Sequence, residues 1–464
     1  MGILKHELAV GSLKFMYKFP NNFKMKKCRG RTYRKRHRKQ SIAFSSSGVN
    51  LSYKNEYILL KKWLKEKGYK NNNLTPAVFS ETGRGLMTTK PLQAEELIIS
   101  LPEKCLLTSN TVLSSYLREY ILKWRPPISP LIALCSFLIT EKWFHRTSVW
   151  KPYLDLLPET YTCPVYLEQE IVNLFPEPLK RKALEQQSSI QDLFASSKQF
   201  FSSLQPLFPE DVAIIFNFSA FRWAWCTINT RTVFMKHSQK DCFSREPDIY
   251  ALAPFLDLLN HNPKAQVKAS FNENTKCYEI KTHLGCQKYK EVYISYGPHD
   301  NQRLLLEYGF VAADNPHSCV HVGIDTLLKY FYSEDKQKPA KLFILREHKF
   351  LDDLTFGWDG PSWTLLTALK LLCLEADEFT LWKKVVLGDV ASRKNEEKSV
   401  DLATKICTSL MEETQHVLQK VSVSKNHHKH LVNQLTLVEA LHTENLRILQ
   451  LSYAMLQHLP STTI

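Results

Sequence analysis

The sequence predicts an α+β protein: a β-rich domain interrupted by a long helical insert, then an all-α C-terminal domain. Three observations carry this. Short strand-like segments broken by Gly83, Gly85 and Pro91 fill 74–107. Helical spacing takes over from about Thr108 to Trp225, and strand-like sequence returns at Thr230–Met235 and Val267–Ser295. After about Asn315 helices dominate. Strands, helices and strands again point to one sheet domain carrying an insert rather than to two independent units. The expected limits are 1–50 for a disordered basic tail, 51–107 and 229–314 for the two parts of the β-rich domain, 108–228 for the insert, and 315–464 for the helical domain.

Element by element, order is expected from about Lys54. Tyr53, Tyr57, Leu60 and Leu64 fall on one helical face, and Gly68 supplies the stop. Asn71–Asn73 makes a polar turn, and LIISLP (Leu97–Pro102) is the clearest strand. SPLIALCSFLITEKW and QDLFASSKQFFSSLQPLF carry apolar residues at helical spacing, with prolines at the joints. WTLLTALKLLCLEADEF is amphipathic, and Ser399–His458 reads as two long helices joined by the charged KNHHKHL. No repeat of fixed period is present, which disfavours a solenoid.

The chain of 464 residues has 44% apolar and 23% charged residues, as ordinary globular proteins do. Its longest apolar run, Leu131–Ile139, is far shorter than the roughly 20 residues of a membrane helix, so no membrane association is expected. Eleven cysteines are scattered singly, without CxxC pairs or zinc spacing, so reduced thiols and no metal site are expected. The net charge of +15 is concentrated: KMKKCRGRTYRKRHRK, Lys24–Lys39, holds ten Lys or Arg and no acid, leaving about +5 elsewhere. That run reads as a nuclear localisation signal or a phosphate-binding arm, with a solvated tail as the plain alternative. Nucleic-acid contact is expected through 24–39 at most, and the expected location is nucleus and cytoplasm. Met25 offers a second start beside Met1.

Candidate chemistry concentrates between Pro254 and Phe310, where Asn260-His261 and Tyr296-Gly297 are set in apolar sequence. Buried polar groups must be satisfied structurally or used chemically. A His after LDLL is more often a bonded core residue than a catalyst, and a Tyr at a strand end more often packs. Gly83-Arg84-Gly85 at a strand entrance lacks the third glycine of a dinucleotide fingerprint and the GK[ST] of a P-loop. No Ser or Cys nucleophile sits in an elbow motif, which disfavours a hydrolase triad. The charged stretch KTHLGCQKYKE, 281–291, offers no motif.

Taken in order, GRGL, a helical insert, NTRTVF, LDLLNH, SYG and LEYGF resemble the SET-domain methyltransferases. More narrowly they resemble the branch with a split SET domain and a helical C-terminal domain, as in the Rubisco large-subunit lysine methyltransferase. The likeness runs from about residue 25 to the end. It implies a protein-lysine methyltransferase using S-adenosyl-L-methionine on a protein substrate, a histone or a non-histone lysine, although one relative modifies histidine. It implies cofactor-binding roles for Thr82, Gly83 and Arg84 through their backbone, and for Arg231 near the methionine end. It places Asp257, Asn260 and His261 at a knot-like crossing on the adenine side, with Phe310 packed on the adenine. Tyr296 would be the active-site phenol, also touching the cofactor. The cysteine-rich zinc module that follows many SET domains is missing, and the helical domain would take its place. The competing expectation is a catalytically inactive SET-like scaffold that binds partners through its C-terminal helices.

Overall fold

Short strands gathered from distant parts of the chain are the framework of this protein. The computed structural model describes residues 48–70, 73–330 and 335–458; the basic run Lys24–Lys39 and both candidate starts lie outside them. Strand β1 (Val49–Asn50) pairs antiparallel with β2 (Leu74–Phe79), which pairs with β3 (Gly83–Thr88). Between β1 and β2 lies helix α1 (Asn55–Glu66), which buries Tyr57, Leu60, Trp63 and Leu64. Tyr53 departs from the expected face: it precedes the helix and is 70% exposed. Strand β4 (Leu97–Pro102) then closes the first part of the domain, with Ile98, Ile99 and Leu101 buried.

The insert is helical, and its main helices are α2 (Pro130–Phe144), α3 (Glu177–Ser203) and α4 (Phe218–Arg231). Ser129 caps α2 by accepting from Ile132 N–H, with Pro130 in the first turn, where no amide donor is needed. Every residue of α2 from Ile132 to Glu141 is buried, so this helix runs through the interior. Asn217 caps α4 by accepting from Ala220 N–H at 2.9 Å. The chain leaves α4 at Arg231 directly into β5 (Thr232–Phe234), which pairs antiparallel with β6 (Tyr250–Leu252).

Strand β7 (Asn260–His261) follows. The hairpin β8 (Val267–Asn272) and β9 (Cys277–Thr282) then adds to β4, and β10 (Tyr293–Ile294) runs parallel to β7. Helix α5 (Asn301–Tyr308) ends this region. One apolar cluster joins Leu64, Leu86 and Ile99 to Leu138, Phe221 and Leu252. The insert therefore shares a core with the sheets on either side of it in sequence.

The C-terminal region is helical, built on α6 (Trp363–Cys373), α7 (Arg393–His427) and α8 (Val432–His458). It also holds a small antiparallel sheet of Val320–His321, Thr355–Gly357 and Gly360–Pro361, in that order. Strands of two or three residues are too short to show alternation, so the sequence reads there as helix and loop. Helix α7 begins six residues before the expected Ser399, because Ser392 caps it by accepting from Asn395 N–H at 3.0 Å. A separate apolar cluster ties Ile171 and Leu179 of the insert and Leu305 of α5 to Val421, Val438 and Leu441. The ten cysteines among the described residues are all free, and no described helix is long and apolar enough to cross a membrane.

Phe356 lies fully buried in the middle strand of the small sheet. Phe356→Ala should cost about 3–5 kcal/mol through lost burial and the cavity left behind. Urea unfolding of the two proteins measures the difference; a loss under about 1 kcal/mol would contradict this packing.

Candidate active site

The segment 290–294 threads between two strands that are remote from it and from each other in sequence. On one side Val292 N–H donates to Leu86 O at 2.8 Å and Thr88 N–H donates to Lys290 O at 3.1 Å. On the other, Tyr293 and Ile294 pair in parallel with Asn260 and His261, and Asn262 N–H donates to Ile294 O at 2.9 Å. β3, β10 and β7 thus lie side by side.

A carboxylate fastens the three. Glu291 is 8% exposed and accepts from Thr82 Oγ1 at 2.7–2.8 Å, from Asn260 Nδ2 at 2.7 Å and from Tyr293 OH at 2.7 Å. Asn260 Nδ2 also donates to Arg84 O at 3.0 Å. Gly85 makes room for this arrangement: a Cβ there would lie 2.5 Å from Glu291 Oε1 and 2.8 Å from Asn260 Nδ2. Gly83 serves the turn instead, with φ at +72°.

Beside this crossing is a cavity of about 610 Å³. Thr82 and Arg84 line it from the β2–β3 turn and the start of β3, and Arg231 from the last residue of α4. Asp257, Asn260 and His261 line it from the turn before β7 and from β7 itself, and Tyr296 and Phe310 from beyond β10. Eight of the nine residues singled out in the sequence therefore meet at one cavity. The ninth, Gly83, lies between two lining residues without lining it.

Arg231 is held in place before any ligand arrives. Its NH1 donates to Asp257 Oδ2 at 3.0 Å and to Asp257 O at 3.3 Å, and Tyr153 OH donates to the same Oδ2 at 2.9 Å. Asp257, whose side chain is 3% exposed, is thus satisfied by the protein and positions Arg231. Arg84 is similarly anchored, NH1 to Leu156 O at 2.8 Å.

Tyr296 has both its polar groups assigned. Its OH donates to Leu259 O at 2.8 Å and its N–H donates to His261 Nδ1 at 3.0 Å. Burial raises its pKa, so the phenol is neutral. With its proton committed to the carbonyl, the oxygen can act only as an acceptor toward a ligand. Tyr308 packs tilted against the ring at 4.9 Å between centroids, and His261 lies 5.2 Å from Tyr296 and 5.9 Å from Phe310.

Because His261 Nδ1 accepts a hydrogen bond, the neutral ring carries its proton on Nε2. That buried donor and Arg231 Nε have no partner among the described residues, and both side chains line the cavity. Unpartnered buried donors at a cavity are groups that a bound ligand can satisfy.

Several residues that build the site, in its wall or behind it, were not visible in the sequence. Glu291 closes the stretch 281–291 that offered no motif, yet it shares its side of the extended chain with Tyr293, two residues on. That alternation was a usable signal. Tyr161 and Thr162 come from the insert; Tyr161 OH bonds Thr227 Oγ1 at 2.7 Å, and Thr162 Oγ1 donates to Gly309 O at 2.6 Å. Tyr308 comes from α5. Only tertiary contacts reveal these.

Gly85→Ala should push Glu291 and Asn260 apart and cost about 1–3 kcal/mol. Thermal unfolding measures this; unchanged stability would mean that the pairing is not confined by Gly85. Burial, with His299 and His317 nearby, pushes His261 down to about 4. The unfolded chain takes up this proton near pH 6.5 and the folded chain only near 4, so the contribution is complete above about 6.5 and lost as pH falls to about 4. Its size is at most about 3 kcal/mol. His299 and His442 are lowered by burial as well, so the His261 share is the difference from His261→Gln. The variant should lose less stability than the wild type between pH 6.5 and 4 in denaturant titrations; equal losses would contradict it.

A family description, "SET domain", matches residues 83–297, and "Rubisco LSMT substrate-binding" matches 333–449. The chain is 59% identical to SET domain-containing protein 4 of Homo sapiens, over 92% of this chain and 97% of that one. It is 27% identical to the actin-histidine N-methyltransferase of Rattus norvegicus, over 72% of this chain and 54% of that one. The crystal structure of the SET domain of LSMT bound to lysine and AdoHcy superposes with a TM-score of 0.59 at 18% identity, covering 88% of this chain and 92% of that one. A SET domain split by a helical insert, closed by threading 290–294 between β3 and β7, and followed by a helical region that matches the Rubisco LSMT substrate-binding family, places this chain in the SET-domain family, in the branch shared with LSMT.

Proposed function

We propose that this protein is an S-adenosylmethionine-dependent methyltransferase that modifies a lysine side chain of a protein substrate. The observation that carries this reading is the neutral Tyr296 phenol at the cavity wall, its proton held by Leu259 O and its oxygen left as an acceptor. The cavity suits a nucleoside-sized ligand: about 610 Å³ lies within the range of small-molecule sites. Phe310 and Tyr308 offer faces for a purine, and the unpartnered donors of Arg231 and His261 offer hydrogen bonds to polar groups of the ligand.

S-adenosylmethionine, when bound, supplies an electrophilic methyl group on a sulfonium. What the protein must add is alignment and an uncharged amine. Free lysine has a pKa of about 10.4, which leaves on the order of one in two thousand amines reactive at pH 7. Burial beside Tyr296, Tyr308 and Phe310 would lower that pKa. The Tyr296 oxygen then accepts an N–H of the neutral amine and directs its lone pair away from the ring. The packed Tyr308 ring and the His261 bond to its backbone hold Tyr296 in position.

A histone is one candidate substrate, supported by the basic run Lys24–Lys39, on which we also place the protein in both nucleus and cytoplasm. Incubating the purified protein with labelled S-adenosylmethionine and candidate proteins, then locating the label by mass spectrometry, tests the reading. Label on lysine supports it. Label on histidine, the residue named in the rat relative, would correct the acceptor, and no cofactor binding at equilibrium would favour a scaffold. Tyr296→Phe should retain cofactor affinity and lose turnover by on the order of a hundredfold. Unchanged turnover would remove the phenol from the mechanism.

A further inference from the structure

We propose that Asp300, Cys319 and His321 form a binding site for one divalent ion of the zinc class, apart from the cavity described above. Their ligand atoms lie within 4.8 Å of one another. His321 Nε2 is 2.7 Å from Asp300 Oδ2, Cys319 Sγ is 3.6 Å from His321 Nε2, and Cys319 Sγ is 3.9 Å from Asp300 Oδ2. Around a tetrahedral zinc with ordinary bond lengths these pairs sit about 3.4–3.6 Å apart. The two sulfur separations are already close to that. Only the imidazole–carboxylate pair must open, as the ion takes the place of the proton they share.

The three side chains are aimed by the local backbone. Cys319 and His321 are two residues apart on extended chain entering the first strand of the small sheet, so they project to the same side. Asp300 is the N-cap of α5: its Oδ1 accepts from Arg303 N–H at 2.7 Å, which fixes the carboxylate and leaves Oδ2 for a ligand. An Asp–His pair alone would account for two of the groups. The thiol, within reach of both, is what that pair does not need, and it selects zinc-class ions over magnesium or calcium.

The site is reachable. A cavity of about 470 Å³ borders it, from which water can complete four-coordination. On binding, the thiol proton passes to solvent, the neutral imidazole ligates through Nε2 with its proton on Nδ1, and the carboxylate and thiolate balance the two charges of the ion. The sequence did not show this site, because Asp300 is separated from Cys319 by 19 positions.

The test uses the full chain, freed of metal by dialysis against a chelator, and zinc or cobalt ions alone. Calorimetry should give one zinc site per chain, weakened at least tenfold in Cys319→Ser and in His321→Asn. Cobalt should produce a thiolate-to-metal charge-transfer band in the wild type that Cys319→Ser lacks. Cys319→Ser is the decisive variant, since Ser keeps the size and the hydrogen bond, and its metal-free thermal unfolding checks the fold. Absence of a stoichiometric zinc site, or a site whose affinity and cobalt spectrum match in wild type and Cys319→Ser, overturns the proposal. Neither readout depends on methyl transfer.

Discussion

Glu291 is a carboxylate in a nearly water-free position, and each group that satisfies it belongs to a different segment: Thr82 before β3, Asn260 of β7 and Tyr293 of β10. Removing a partner from a buried charged group costs about 1–3 kcal/mol or more, so the arrangement tolerates little slippage. A shift of one residue in β10 would turn Glu291 and Tyr293 to the opposite face and leave the carboxylate stranded. The register so imposed determines where His261 and Tyr296 stand, since both follow directly along the paired strands.

From that register comes a division of labour among the polar groups. Some are fully committed: Asp257 to Arg231 and Tyr153, the Tyr296 hydroxyl proton to Leu259 O, and the His261 Nδ1 to Tyr296 N–H. Others, the His261 Nε2 and Arg231 Nε, are buried at the cavity without partners. Committed groups give the wall its shape, and uncommitted ones give it binding capacity. His261 is thus more a positioning residue for Tyr296 than a proton carrier, and its lowered pKa follows from burial.

The helical C-terminal region is joined to the rest by more than chain continuity. His442 Nε2 bonds Leu174 O at 2.8 Å, Trp358 Nε1 donates to Asn315 O at 2.8 Å, and Leu305 of α5 packs in the cluster shared with α7 and α8. Since α5 ends at Tyr308, two residues before Phe310, the helix that packs against the long helices also carries part of the cavity wall. Asp300, at the other end of α5, is one of the three proposed ion ligands.

What could be known from sequence alone was local. Helical spacing marked α1 and the long C-terminal helices, prolines marked the joints of the insert, and LIISLP marked β4 residue for residue, because burial of one face leaves a period in the chain. The order of GRGL, NTRTVF, LDLLNH, SYG and LEYGF carried the resemblance, and eight of the residues it implicated share one cavity. The sequence did not indicate that Glu291 is the hub, that Tyr161 and Thr162 of the insert join the wall, or that three strands of two or three residues sit among the C-terminal helices. Those facts depend on which segments meet across up to 209 positions of chain. Periodicity records whether a residue is buried, and only the threading of the chain decides against what.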